Sequence, residues 1–596
     1  MTGAVDHRPG KTWWAAVVSV FVVQAATVVV LTSRNYFFME DFRFLVQLRE
    51  GPIDAELLGY DVFGHFVPGL ALGNHLFAQA FGASWTAASV VILAFQLGGS
   101  VAFLRLLIAL HGRTWWLPGA LAAFALSVVM LYSSVWWAAT WTMGATTVCA
   151  VSAFGCAQRY FNTRRRRHLL SLAVMAALSF SFFEKSVVLC VYVGLFALVV
   201  GKLDERESWR QRLRGALAVW PVWLTLGTLA SIDLALYFAG GHHENLSEPP
   251  PLALTGEYLL RALPEGSFTT VLGVVHPSVG PPGPQWLVPA TTTTLFVLIM
   301  AWTSWRSRLA ARAWLWFLAC ALVSVGFVAL GRLGTLGVDM TAQMLRYQVE
   351  TNYLVLVALT IAVPAALHTL AHGARARLWH LRGVIAVGVV IALVPGWIAS
   401  VRVISETGPG RTADEYFAAL RTGGPPPGPF LEYPVPAWIV PAFQYPWNMS
   451  SVIFPLVNPR AETTTDPRGS YVVTYDGTVR EVALDYLYGP AKTAWCGGPE
   501  PAAITLVTGM QSPRQPDWDP LLVVVDHVAE GRATVSFTGK DENGTPTSAA
   551  GMLGSVFVVE GRGRLAFPTT VALSEVVLFV EGVRVCIERF GIAVAR

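Results

Sequence analysis

From Trp13 to about residue 401 the chain alternates apolar runs with short polar gaps. About eleven runs approach the ~20 residues a helix needs to cross a hydrocarbon core. They predict transmembrane helices over 13–32, 84–108, 116–135, 142–161, 168–183, 186–201, 215–238, 286–303, 314–331, 352–371 and 384–401. Beyond 402 the texture changes. "GGPPPGPFLEYPVPAWIVP" (423–441) is rich in proline and predicts an extended, semi-rigid linker over 402–445. Short β-branched runs follow: "SYVVTYDGTVREVAL" with an Asp476-Gly477 turn, then "LLVVVD", "ATVSFTG", "SVFVVEG" and "EVVLFVEGVRVCIERF". Their alternation and turn spacing predict an antiparallel β-sandwich over 446–596.

The gaps orient the helices. "HGR" (111–113), "RRRRH" (164–168), "GKLDERESWRQRLRG" (201–215), "WRSRLAARA" (305–313) and "HGARARLWHLRG" (372–383) fall in the even-numbered gaps, on the side of Arg8 and Lys11. The positive-inside rule makes that side cytoplasmic. Three longer segments, 33–83, 239–285 and 332–351, then face outward, as does everything after 402. Within the first, "HFVPGLALGNHLFAQAF" (65–81) is apolar but broken by Pro68, Gly69 and Gly73, which predicts an interfacial segment.

Composition agrees. Hydrophobic residues make up 54% of the 596 and charged residues 13%, too few charges to cover a soluble surface. Mean hydropathy is +0.51. The net charge of +4 does not point to nucleic acid, because the basic residues sit in the loops that set orientation. The first run is long enough to span and lacks a small-residue cleavage site, so no cleavable signal is expected. Cys149, Cys156, Cys190 and Cys320 lie in apolar runs and read as small buried hydrophobes. Cys496 and Cys586 are the two in the outward C-terminal segment, where an oxidising exterior predicts a disulfide. The chain thus reads as a polytopic α-helical protein of the cell membrane, N-terminus cytoplasmic. Its domains are a membrane domain (1–401), a linker (402–445) and an extracytoplasmic sandwich (446–596).

Candidate chemistry begins at "NYFFMEDFRFLVQL" (35–48), where Glu40 and Asp41 lie among Tyr36, Phe37, Phe38, Phe42 and Phe44. One reading is a solvated acid pair ending a helix. The other is a carboxylate held at the outer interface as a general base. Outward cations of the membrane part are few, and charges near an apolar phase need a reason. They are Arg34, Arg43, Arg49, Lys185, Arg261, Arg332 and Arg346, with His65, His75, His242, His243 and His276. Lys185 has a second reading as an internal partner of Glu184, and His65 as a satisfied interfacial histidine. "GGHHENLSEPPP" (240–251) reads as an acceptor-side loop rather than a metal site, and Asp233 as an acid that caps or pairs internally. Trp136, Trp137 and Trp141 suit an interfacial belt or a sugar-stacking platform.

"FFMEDFRFL", "GHFVPGLAL" and "AQAFGAS" resemble the first-loop signature of bacterial GT-C glycosyltransferases, membrane enzymes that use lipid-phosphate-linked sugars. "LSFSFFEKSVVL" (178–189) resembles their mid-chain helix pair. The likeness extends over 13–401 as an order of features. It implies Asp41 as catalytic base, with Glu40 sharing the role or holding a divalent ion. It also implies Arg346 as first cation for the lipid phosphate, Lys185 and His65 as further ones, and Tyr36, Trp136, Glu184 and Tyr347 as substrate contacts. A metal is neither required nor excluded by these residues. The expected activity is inverting transfer of a hexosyl or pentosyl group from a polyprenyl-phosphate donor. The acceptor would be an envelope glycan, lipid or protein outside the membrane. Two other readings stand beside it: a transporter or flippase for a lipid-linked envelope precursor, and a non-catalytic glycan-binding scaffold.

Overall fold

The computed structural model describes residues 10–595 outside 50, 63, 242–249, 272–286, 371–393, 407, 424–425, 442–443, 445, 475–476, 498–501, 508–520, 541–545, 548–556, 570–574 and 582. His242, His243, His276, Asp476, the basic cluster 372–383 and the first ten residues of the expected span 384–401 lie outside the described residues. The chain divides into two compact units. The first is Met1–Arg34, Gly51–Leu76 and Ser84–Gly408; the second is Asn35–Glu50, Phe77–Ala83 and Pro409–Arg596.

The first unit is helical. Among the described residues, six helices are long and apolar enough to cross a membrane: Lys11–Thr32, Trp85–His111, Trp220–Ala239, Leu287–Arg306, Arg308–Leu333 and Leu345–His368. The first has 22 residues, roughly 33 Å at 1.5 Å per residue. Val18, Val22, Val29 and Val30 of this helix are exposed, as a lipid-facing stripe must be. The protein is a multi-pass membrane protein.

The other expected spans are interrupted or shorter. The run 116–135 is two helices, Leu117–Ala125 and Val128–Ser133, with Ser127 capping the second. The run 142–161 begins in a π turn, Thr140–Ala145, before the helix Thr146–Thr163. The run 168–183 is the helix Arg166–Phe182, and 186–201 is a 3₁₀ turn, a short helix Leu189–Leu195 and a π turn. Hydroxyls explain some of the breaks. Thr140 Oγ1 donates to the Ser133 and Trp136 carbonyls, both at 3.0 Å, satisfying backbone acceptors where the helical ladder stops. Such breaks survive in a membrane only when packed inside protein, and Ser133, Ser134, Thr140, Thr146 and Thr147 are all buried. Apolar content alone does not register them.

Aromatic packing fills the interior of this unit. Phe103 stacks on Phe124 at 4.4 Å, and Phe154, Phe196 and Trp316 meet at 5.2–5.9 Å. Trp316 Nε1 donates to the Tyr192 carbonyl at 3.0 Å. The helix Pro68–Phe81 has 14 residues, roughly 21 Å long and too short to span.

The second unit contains two sheets. Strands β1 (Asp61–Val62) and β2 (His65–Phe66) form a small hairpin in the first unit; the rest belong here. In the smaller sheet β3 (Phe430–Leu431) lies parallel to both β4 (Thr463–Thr464) and β5 (Tyr471–Val473). Strand β6 (Val479–Glu481) pairs antiparallel with β5. Within 402–445 the chain also forms the helix Pro409–Thr422, whose Tyr416 and Phe417 are buried.

The larger sheet is antiparallel. Its strands are β7 (Leu484–Gly497), β8 (Ala502–Val507), β9 (Leu521–Lys540), β10 (Pro546–Thr547), β11 (Phe557–Thr569), β12 (Glu575–Glu581) and β13 (Val585–Ala595). They run in the order β7-β13-β9-β12-β8, and β10 and β11 also pair with β9. The described strands join as one seven-stranded sheet, a coarser result than the sandwich expected. Val523, Val525, Leu565, Ile587, Phe590 and Ile592 build its core. Cys496 and Cys586 are direct partners across β7 and β13 and form the expected disulfide.

Candidate functional site

A helix break builds the site in the first unit. The helix Arg166–Phe182 stops where Phe183 becomes extended (φ −162°, ψ 114°), and a 3₁₀ turn, Glu184–Val188, follows. This break presents the "FFEK" stretch. Lys185 is almost wholly buried, and its Nζ donates to the Tyr347 carbonyl at 3.1 Å and to Glu350 Oε2 at 2.9 Å. The internal partner of Lys185 is therefore Glu350.

Glu184 is bound elsewhere. It accepts from Nδ1 of His65, which the β1–β2 hairpin carries. Gly64 makes that hairpin turn at φ +79°, and its N–H donates to Asp61 Oδ1 at 2.5 Å. The other ring nitrogen of His65, Nε2, accepts from the Arg332 guanidinium. A carboxylate, an imidazole and a guanidinium thus form one chain.

His65, Glu184, Lys185 and Arg332 line a cavity of about 250 Å³ with Asp233, Tyr237 and Tyr347. Leu234, Phe238, Phe327, Val328 and Leu330 supply its apolar lining. Leu234, Phe238, Phe327 and Leu330 are among the exposed large hydrophobics of the protein. One cavity therefore combines cations and hydrogen-bonding groups with an oily, exposed flank. That combination suits an amphiphile with an anionic head.

Arg346 sits apart from this lining. Its guanidinium lies 5.1 Å from the Trp136 ring and 5.2 Å from the Tyr347 ring, and Nη2 donates to Tyr347 Oη at 3.4 Å. It lines a second cavity, only about 10 Å³, with Glu350, Tyr192 and Tyr353. Trp136 is buried under Arg346. Trp137 is buried and donates to Asn74 Oδ1 at 2.7 Å, and Trp141 packs against Phe182 at 5.9 Å. A Cβ on Gly73 would come within 2.5 Å of the Trp141 ring. These three tryptophans are interior packing groups.

The paired acids belong to the second unit. Tyr36 N–H donates to the Gly410 carbonyl at 2.9 Å, and a Cβ on Gly410 would overlap Asn35 Oδ1, so the close approach needs glycine. Met39 adopts φ +53°, unusual for a non-glycine residue, and its N–H donates to the Ile439 carbonyl at 2.6 Å. This turn sets Asp41 at the start of the helix Asp41–Gln47. Asp41 Oδ2 accepts from Phe38 N–H at 3.1 Å. Asp41 is fully buried and Glu40 9% exposed, so a solvated pair is not what the fold makes. Tyr36, Phe42 and Phe417 meet at 5.6–6.4 Å, and the Arg421 guanidinium lies 4.5 Å over the Tyr36 ring. Burial pushes the Tyr36 phenol up to about 12, with Arg421 opposing and Asp414 adding, so Tyr36 is neutral at pH 7.

The first unit thus gathers Lys185, His65, Glu184 and Tyr347 around one cavity; Asp41, Glu40 and Tyr36 form a cluster in the second. Arg332 was one cation among seven by sequence, and what distinguishes it is a contact with a residue 267 positions away. Among the described residues, no group of three or more His, Cys, Asp or Glu is gathered as a metal ion would need.

No protein-family model and no curated protein matches this chain. Solved structures similar to it at low level include two membrane glycosyltransferases. One is the cryo-EM structure of arabinosyltransferase EmbB from Mycobacterium smegmatis, with 13% identity and a TM-score of 0.35, covering 100% of this chain and 66% of that one. The other is the archaeal oligosaccharyltransferase AglB from Archaeoglobus fulgidus, in complex with an inhibitory peptide and a dolichol-phosphate. It shows 15% identity and a TM-score of 0.39, covering 70% of this chain and 58% of that one. This chain therefore spans less than two thirds of the length of either.

Proposed function

We propose that the protein is an inverting glycosyltransferase that uses a lipid-phosphate-linked sugar. The observation that carries this reading is the 250 Å³ cavity, where Lys185, His65 and Arg332 stand against exposed leucines and phenylalanines. A polyprenyl phosphate has matching chemistry: the phosphate suits the cations and the chain suits the apolar flank. Arg332, whose guanidinium lines the cavity beside His65, is the cation proposed for the phosphate, and Lys185 is bonded to Glu350. Glu184 and Asp233 supply acceptors for sugar hydroxyls.

The reaction is a single displacement at the anomeric carbon. An acceptor hydroxyl oxygen forms the new bond to that carbon as the bond to the phosphate oxygen breaks, and the lipid phosphate leaves with the bonding pair. Asp41 is the proposed base for the hydroxyl proton, on the first-loop resemblance and its burial among aromatics. Glu40 is its neighbour and the alternative base. The phosphate leaving group needs no strong acid. We place the reaction outside the cell membrane, with the N-terminus cytoplasmic and an envelope glycan, lipid or protein as acceptor.

Native mass spectrometry of detergent-purified protein with added polyprenyl phosphate tests the cavity. The wild type should retain the lipid, and Arg332→Ala should lose most of it. Equal retention by the variant overturns the assignment. The interrupted helices also suit a transporter of a lipid-linked precursor. That reading predicts lipid retention without sugar transfer, and movement of the lipid-linked sugar between leaflets of reconstituted vesicles.

A further inference from the structure

The larger sheet carries a row of charge that the proposed reaction does not use. Arg564 on β11, Asp526 on β9, Arg589 on β13 and Lys492 on β7 are direct cross-strand partners in that order. Residues directly opposite in an antiparallel ladder share a face. Arg564 is committed to Asp526 by two hydrogen bonds, at 2.6 and 3.0 Å. Beside β11, the segment holding the Arg468–Asp466 pair is tied down by Ala566 N–H donating to the Thr465 carbonyl at 3.0 Å.

Arg589 shares Asp526 with Arg564 and makes no direct ion pair among the described residues; Lys492 makes none either, and both are exposed. Like charges directly opposite one another destabilise a sheet, so folding alone does not account for this pair. The local sum confirms the excess: four cations (Arg468, Arg564, Arg589, Lys492) against two carboxylates (Asp466, Asp526) leave +2. Tyr486 lies on the same strand as Lys492, opposite Ala593 of β13, and adds an aromatic ring to this part of the sheet. Adjacent strands lie about 4.8 Å apart, so the row from β11 to β7 extends roughly 14 Å. Arg589 and Lys492, on adjacent strands at one end of that row, leave its net positive charge exposed.

We propose that this face of the sheet is a docking strip for an acidic polysaccharide, whose carboxylates pair with Arg589 and Lys492 while a sugar ring packs on Tyr486. Complementary charge of this kind attracts the partner and fixes its register. The inference does not depend on the glycosyl-transfer reading and stands or falls separately.

The full chain in detergent, with polygalacturonate as probe, decides the matter. It should bind polygalacturonate and not neutral dextran, with affinity falling as salt rises because exposed charges are screened. The double variant Arg589→Gln, Lys492→Gln should bind about tenfold more weakly, with a shallower salt dependence. Asp526→Asn removes one opposing charge and should bind more tightly than the wild type. Unchanged affinity in the double variant overturns the proposal. So does binding to vesicles of anionic phospholipid with none to polygalacturonate, which would reassign the strip to a membrane surface.

Discussion

Lys185 and Glu350 form an ion pair of 2.9 Å with side chains only 1% and 6% exposed, joining a helix break to the start of the helix Val349–His368. A buried pair of this kind is costly to make and more costly to break from one side. Removing one partner strands the other charge, typically at about 3–5 kcal/mol. Lys185→Met or Glu350→Gln alone should therefore sharply lower the melting temperature in detergent. The double variant Lys185→Met, Glu350→Leu should recover much of the loss. A double variant whose loss equals the sum of the two single losses would show that the residues act independently.

Asp41→Asn keeps shape and most hydrogen bonding while removing the proton acceptor. Positioned bases contribute about 10²–10⁴-fold, so turnover should fall by that order with donor retention unchanged. Glu40→Gln should be milder. A reversed order of the two would move the base by one residue, and normal turnover in both would remove the pair from the reaction.

Asp526 gives the second unit a pH signature. Hydrogen bonds from Arg564 hold its carboxyl below the usual range, burial opposes them, and the charges of Arg564 and Arg589 add to the lowering. A depressed carboxylate contributes stability above its unfolded pKa of about 3.9, and the contribution is lost as pH falls through the folded value. Asp526→Asn should thus be less stable than the wild type at pH 7, with the gap closing below about pH 4. Melting curves across that range check it; a gap independent of pH would mean the loss is packing rather than charge.

Orientation is open to labelling. Arg460 is exposed and is a suitable position for a cysteine. Arg460→Cys should react with an impermeant maleimide in intact cells. Protection there, with labelling in the loop 164–168, would invert the proposed topology.

How much was legible from sequence depended on range. Lys11–Thr32 and Trp85–His111 were visible because about twenty apolar residues in a row have few alternatives to a membrane. The break at Ser127 was not, because its side chain substitutes for backbone bonds only after neighbouring helices have buried it. Cys496 and Cys586 were paired by elimination, since no other cysteine lies in the outward segment. His65, Glu184 and Lys185 were picked out individually, but the Glu184–His65–Arg332 chain and the Lys185–Glu350 pair are tertiary contacts that no local pattern encodes. The contact of the Trp136 ring with Arg346 is likewise tertiary.

The Cys496–Cys586 bond closes a separation of 90 residues, most of the larger sheet. A protease that nicks any one peptide bond within that stretch releases nothing. The two pieces travel as a single molecule on a gel until a thiol is added, so digestion assayed only under non-reducing conditions will report an intact protein that has already been cut.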